Sequence, residues 1–262
     1  MKTKAVLVDL TRCVGCGSCT VACKLWNGRG FDKKEPATGK KPVANESNWT
    51  TVAQQPAEKD GDPVFRFLKK QCMHCEEPAC ASSCFAKAMV KTEAGPVVYH
   101  PNLCVGCRYC MIACPFGVPK YEWSKVIPSV SKCQMCSSRV ENGQMPACTE
   151  ACPTGAIRYG EREELLEEAK KKIATGKYVN HIYGETEAGG TCWLYISDIP
   201  FDQLGFKQNV PHESLPAIEE NYMKCTPALL LGGAALFTGL SAYIQRVKKV
   251  SEAEEEAEKS VR

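Results

Sequence analysis

The sequence predicts a loop-rich α+β fold: two cysteine-organised units followed by one C-terminal transmembrane helix. Three observations predict it. Sixteen of the 18 cysteines fall into four groups of four. Two of those groups share one spacing, so the chain carries an internal repeat. No charged residue occurs between Lys224 and Arg246. The remaining composition excludes other classes. With 44% apolar and 24% charged residues the chain is not disordered. A balance of 33 basic against 30 acidic residues lacks the basic excess of a nucleic-acid binder. A chain of 262 residues also needs no disulfides to make up for a missing core.

The first group is Cys13, Cys16, Cys19 and Cys23, and the second is Cys72, Cys75, Cys80 and Cys84. The third, Cys104, Cys107, Cys110 and Cys114, repeats the C-x2-C-x2-C-x3-C spacing of the first and is followed by Pro115. The fourth is Cys133, Cys136, Cys148 and Cys152, followed by Pro153. The repeated spacing is that of bacterial ferredoxin runs, whose thiolates hold cubane iron–sulfur clusters. Three cysteines at three-residue steps on a tight loop converge on one cube, while the fourth enters a helix and points toward a second. Gly15, Gly17 and Gly106 ease the wrapping. Zinc uses two C-x2-C pairs per ion and leaves the third cysteine of each run idle. A disulfide framework calls for a secreted chain, and Met1–Leu10 has no leader-like apolar stretch or cleavage site. The expectation is four [4Fe-4S] clusters.

Because the fourth cysteine of one run serves the other cluster, four groups make two dicluster units, paired sequentially or nested. Only groups three and four carry Cys-Pro. Nested pairing gives each unit one such proline, and sequential pairing gives one unit both.

Residues 28–62 are polar and Gly/Pro/Lys-rich. They read as a surface loop between cluster motifs, or as an arm that wraps a partner with Trp49 as anchor. Lys69, Lys70 and Lys132 could raise a cluster's potential by their charge, but the favoured reading is solvated surface lysines. His74 reads as a hydrogen-bonding neighbour of the second group rather than a ligand. Glu161–Ala174 is an amphipathic helix, with Leu165, Leu166, Ala169 and Ile173 on one face and Gly176 beyond its end. Cys192–Ile196 reads as a short strand covering the cluster domain, with Cys192 a small buried hydrophobe.

Residues 225–245 span about 31 Å as a helix, the thickness of a bilayer core. Ala228, Gly232, Ala235, Gly239 and Ala242 form a seam of small residues that suits close packing on another membrane helix. Arg246, Lys248 and Lys249 follow the helix, so the positive-inside rule places the tail in the cytoplasm. The cluster domain then lies on the periplasmic side of the cell inner membrane. It is expected to be exported folded, with a partner bearing a twin-arginine signal. The expected segments are a cluster domain at 1–160, a helix and strand covering it at 161–224, a membrane helix at 225–245 and a charged, frayed tail at 246–262.

Asp9–Cys16, Cys72–Cys80, Cys104–Phe116 and Cys148–Ala156 together resemble the four-cluster electron-transfer subunits of respiratory oxidoreductases. The nearest likeness is to the beta subunit of membrane-bound formate dehydrogenase and its counterpart in quinone-linked nickel–iron hydrogenase. The resemblance implies two nested bacterial dicluster-ferredoxin units. One would place Cys13, Cys16, Cys19 and Cys152 on one cluster and Cys133, Cys136, Cys148 and Cys23 on another. The second would place Cys72, Cys75, Cys80 and Cys114 together, and Cys104, Cys107, Cys110 and Cys84 together, with the Cys104 cluster nearest the membrane. The sequence itself shows no Gly-rich nucleotide fingerprint and no nucleophile–base pair with a supporting motif, so no catalytic residues are expected. By the resemblance, its partners would be a molybdenum/tungsten or nickel–iron catalytic subunit and a polytopic, quinone-reactive or cytochrome b-like membrane subunit. One departure stands out: Cys84-Phe85-Ala86-Lys87-Ala88 replaces the usual Cys-Pro-Thr-Gly-Ala. A soluble polyferredoxin carrier, or a subunit feeding a reductase from quinol, are the alternative readings.

Overall fold

The computed structural model describes residues 3–31, 35–123 and 129–261. The chain forms two units, one ending at Pro216 and one beginning at Ala217.

Strand β1 (Lys4–Asp9) is the centre of the first unit, and Ala5, Val6, Leu7 and Val8 are all fully buried. Such an unbroken apolar run is what a strand covered on both faces requires. Hairpin strands β2 (Thr51–Lys59) and β3 (Asp62–Lys70) pair antiparallel from Thr51↔Lys70 to Lys59↔Asp62. Their turn is Asp60-Gly61, both at positive φ (53° and 90°), as a two-residue hairpin turn demands. Residues 51–62, the last third of the stretch expected as an irregular loop, therefore belong to a regular ribbon.

Strands β4 (Met89–Lys91) and β5 (Val97–Tyr99) form a smaller hairpin. Its Met89, Val97 and Tyr99 pack with Cys80, Cys110, Tyr121 and Val130 as a second small core. Strand β6 (Ile157–Glu161) runs antiparallel to β1, and β7 (Trp193–Ile196) runs parallel to it on the other side. The segment expected as a cover is thus woven into the central sheet, and every residue of β7 is buried.

Helix α1 (Ser18–Trp26) follows the first cysteine loop. Helix α2 (Arg162–Lys172) has Glu163 and Glu164 in its first turn and Lys170, Lys171 and Lys172 in its last, matching the helix dipole. It buries Leu165 and Ala169 against the main core, with Leu166 and Ile173 packed alongside. Gly176, at φ 76°, turns the chain away just beyond its end.

The second unit is carried by α3 (Leu215–Val261), 47 residues or about 70 Å of helix. It contains one stretch long and apolar enough to cross a membrane. The helix outruns the expected span at both ends. Its C-terminal backbone is helical rather than frayed, because the Ala-, Glu- and Lys-rich sequence there favours helix intrinsically.

Candidate metal centres

All four groups end in two cysteines four residues apart: 19 and 23, 80 and 84, 110 and 114, 148 and 152. Each pair lies on or beside a short helix: α1, Ala79–Ser82, Tyr109–Ile112 and Ala147–Glu150. Side chains four apart on a helix are neighbours on one face, about 5–6 Å from each other. A helix set between two cavities can therefore present one cysteine to each.

That is the arrangement seen. One cavity is walled by Cys13, Cys16, Cys19 and Cys152. A second is walled by Cys23, Cys133, Cys136 and Cys148, and another by Cys84, Cys104, Cys107 and Cys110. The remaining four cysteines also gather. Cys75 is pushed well above the ordinary thiol range by burial first, then by Cys72, Cys114 and Cys80 beside it. Burial likewise pushes the thiols of Cys23 and Cys80 up to about 12. Thiols this buried and this close ionise together only when a cation shares their charge.

The loops are bent to shape by left-handed residues. Gly15 (φ 70°) lies against the hairpin, where an added Cβ would stand 2.3 Å from the Phe67 ring. Gly17 and Arg108 occupy equivalent positions before their helices, at φ 75° and 67°. After Cys152 the turn uses Gly155 at φ 61°, and after Cys84 it uses Lys87 at φ 51°. The departure at Phe85–Lys87 thus keeps the left-handed turn. The Ala88 amide still donates to Cys84 Sγ at 3.2 Å. Comparable bonds reach Cys133 from the Met135 amide (3.3 Å) and Cys114 from the Val118 amide (3.5 Å).

The cavity walls fit iron–sulfur clusters on two independent grounds. The first is an orphaned polar atom. Trp193 Nε1, in the wall beside Cys23, is buried without a hydrogen-bond partner among the described residues, while the Tyr121 hydroxyl, in the wall of another cavity, faces the Cys104 thiol. Buried donors are normally satisfied, and a cluster sulfide in the cavity would supply the acceptor that the indole lacks. The second is the donor set: each of these three cavities is walled by four cysteines, the thiolate complement of one [4Fe-4S] cluster.

The structure revises several sequence-based readings. Lys69 and Lys132 are not solvated: they are 1% and 2% exposed. Lys132 Nζ donates to the carbonyls of Val97 (2.5 Å) and Cys133 (3.0 Å). Lys70, next along the strand, is exposed and donates to the Gly205 carbonyl. His74 is fully buried, and its Nδ1 accepts the Val97 amide at 2.8 Å. Burial, then Lys132, Lys91 and Lys69, lowers its pKa well below the usual imidazole value, so it is neutral with its proton on Nε2. Trp49 is half-buried and helps wall the Cys23 cavity, with the Arg29 guanidinium 4.2 Å from its ring. Cys192 is fully buried but sits between Lys91 Nζ (3.2 Å) and Glu76 Oε1 (3.3 Å) rather than in hydrocarbon.

Residues 64–162 match the 4Fe-4S dicluster domain and residues 4–25 a 4Fe-4S binding domain. The chain is 40% identical to a protein of Nitratidesulfovibrio vulgaris, over 97% of this chain and 70% of that one. It is 33% identical to the hydrogenase-2 operon protein HybA of Escherichia coli O157:H7, over 93% of this chain and 84% of the other. Identity to the iron–sulfur subunit of the nitrate-inducible formate dehydrogenase of Escherichia coli K12 is 32%, over 90% and 82% of the two chains.

Proposed function

This chain belongs to the family of 4Fe-4S iron–sulfur subunits of hydrogenase and formate dehydrogenase complexes, and on that premise we propose that it relays single electrons through four clusters, from a catalytic subunit to a quinone-reactive membrane subunit. It is an electron-transfer subunit of an oxidoreductase and not the catalytic one. Each bound cluster supplies a one-electron couple; the chain's own residues hold, space and insulate these couples.

The ligands are the sixteen grouped cysteines in nested pairing: Cys13, Cys16, Cys19 and Cys152; Cys23, Cys133, Cys136 and Cys148; Cys72, Cys75, Cys80 and Cys114; Cys84, Cys104, Cys107 and Cys110. The observation that carries the relay reading is the sequence of contacts between these sets. Helix α1 links the first to the second through Cys19 and Cys23. Cys133 of the second set lies within electrostatic range of Cys72 of the third, and Cys80 of the third packs in one small core with Cys110 of the fourth. Of the sixteen, Cys16 and Cys107 are the exposed ones, and they belong to the two outer sets. Apolar side chains stand exposed around both, Val14 and Leu25 near the first and Val105 and Ile112 near the second. A wire with buried middle stations and two open, apolar ends fits between two protein partners.

The membrane helix anchors the chain to the second partner, with the cluster domain on the periplasmic side and residues beyond Arg246 in the cytoplasm. The partner at the other end is a molybdenum/tungsten or nickel–iron catalytic subunit. Anaerobic purification of the complex, with iron and sulfide analysis and a potentiometric titration, tests the reading. The expected result is about sixteen irons and four one-electron waves from this subunit. Zinc in place of iron, or half that iron, refutes it.

A further inference from the structure

Lys69 is an ammonium enclosed between two cysteine cavities. It is 1% exposed and forms part of the wall of both the Cys13/Cys16/Cys19/Cys152 cavity and the Cys23/Cys133/Cys136/Cys148 cavity. Its Nζ donates to Thr50 Oγ1 and Gln71 Oε1, each at 2.8 Å, and lies 4.3 Å from the centre of the Trp193 ring. All three partners are neutral. Among the described residues no carboxylate pairs with it.

A buried charge without a counter-ion is strongly disfavoured. The anions that compensate this one must therefore be the contents of the cavities it walls. Here the inference rests on the cluster reading above. A cluster bound by four thiolates is anionic and gains one further negative charge on reduction. Deep burial leaves little water or salt to screen that charge from Lys69.

We infer that Lys69 is a shared tuning residue for the first two redox stations, its fixed positive charge favouring the reduced state of both clusters. The step it influences is electron transfer alone. The electron arrives from the neighbouring redox centre, no bond forms or breaks, and no proton moves. Strand geometry isolates the effect. Successive residues of β3 face opposite sides, so Lys70 points outward and carries the same charge on the exposed face.

The test is an EPR-monitored potentiometric titration of the intact complex carrying Lys69→Gln, Lys69→Arg or Lys70→Gln. Lys69→Gln retains hydrogen-bonding capacity and removes the charge. It should lower the reduction equilibrium constant of two of the four stations about tenfold, a downward shift of about 59 mV for each one-electron couple. The other two stations should keep their potentials. Lys69→Arg and Lys70→Gln should both titrate like the wild type. Four unshifted waves in Lys69→Gln overturn the inference, and so does an equal shift of all four. Should Lys69→Gln fail to retain its clusters, the iron content of Lys69→Arg decides. A full complement supports a requirement for charge, and loss in both variants refutes it. A wild type without clusters in these cavities overturns the cluster reading and this inference together, which is a different result from four waves that do not move.

Discussion

Cys19 and Cys23 stand one turn apart on helix α1, yet they line different cavities. Cys152 and Cys148 return the exchange: Cys152 joins Cys19, and Cys148 joins Cys23. Two helices thus each bridge the same two cavities, which fixes the separation between them at about one helical turn. The reciprocal use of i and i+4 cysteines predicts separable losses. Cys19→Ser should remove or alter the station that also uses Cys13, while Cys23→Ser should affect the one that uses Cys133. Each variant should lose up to about four of roughly sixteen irons. EPR of the two variants should show different missing signals. The same signal missing from both would break the reciprocal arrangement.

The hairpin is fastened to the first cysteine loop through Gly15. Its φ of 70° already disfavours any side chain, and a Cβ would meet the Phe67 ring at 2.3 Å. Gly15→Ala should therefore cost about 1–3 kcal/mol from left-handed strain and overpacking. Adding Phe67→Ala should recover the overpacking part but not the backbone part. Thermal unfolding of the two single variants and the double variant measures the coupling. Strict additivity would show that ring and loop do not meet.

How much of this was legible in the sequence differs sharply by feature. The cysteine groups were plain because a metal loop is encoded locally, and its spacing survives without knowledge of tertiary contacts. The β2–β3 hairpin was not, because Gln54, Gln55 and Pro56 suppress the apolar alternation of a strand. Asp60-Gly61 was the usable signal for its turn. Lys69-Lys70 looked like one solvated pair. Once the hairpin is recognised, the two-residue period of a strand sends one of them inward. Trp193 and Tyr121 gave no local sign of facing cavities. Their placement depends on which strands pair, namely β7 beside β1 and Lys120–Tyr121 beside Val130–Ser131.

Asp198 ties the other side of the hairpin to the segment after β7. It accepts from Arg66 Nη2 (2.5 Å), Arg66 Nε (2.9 Å) and Lys59 Nζ (2.7 Å). Burial tends to raise its pKa, but these cationic donors outweigh it and hold the carboxyl down to about 2. A folded pKa below the unfolded value contributes stability above the unfolded pKa, near 3.9, and that stability is lost as pH falls through about 2. Attachment of the hairpin should therefore be independent of pH from 8 to 5. Asp198→Asn at neutral pH should cost about 1–3 kcal/mol. Hydrogen exchange of the β2–β3 amides, corrected for intrinsic rates, reads both effects. Protection that falls between pH 8 and 5 in the wild type would contradict the assignment.

The last prediction concerns the face of α3 that carries Ala228, Gly232, Ala235, Gly239 and Ala242. A Cβ added at Gly232 or Gly239 would meet nothing within 4 Å among the described residues. Close backbone approach to another membrane helix is the use that such a face of small residues suits. Gly239→Leu should then force the helices apart and release the membrane partner, while Leu236→Ile, off the seam, should be tolerated. Truncation after Pro216 removes the second unit at its boundary. That variant should still pass electrons from the catalytic subunit to a soluble dye at close to the wild-type rate. It should no longer reduce quinone in membranes. Comparing the two acceptors on the same preparation separates a broken relay from a lost partner. If truncation leaves quinone reduction intact, the cluster domain holds the membrane subunit by itself, and the small-residue seam has some other occupant.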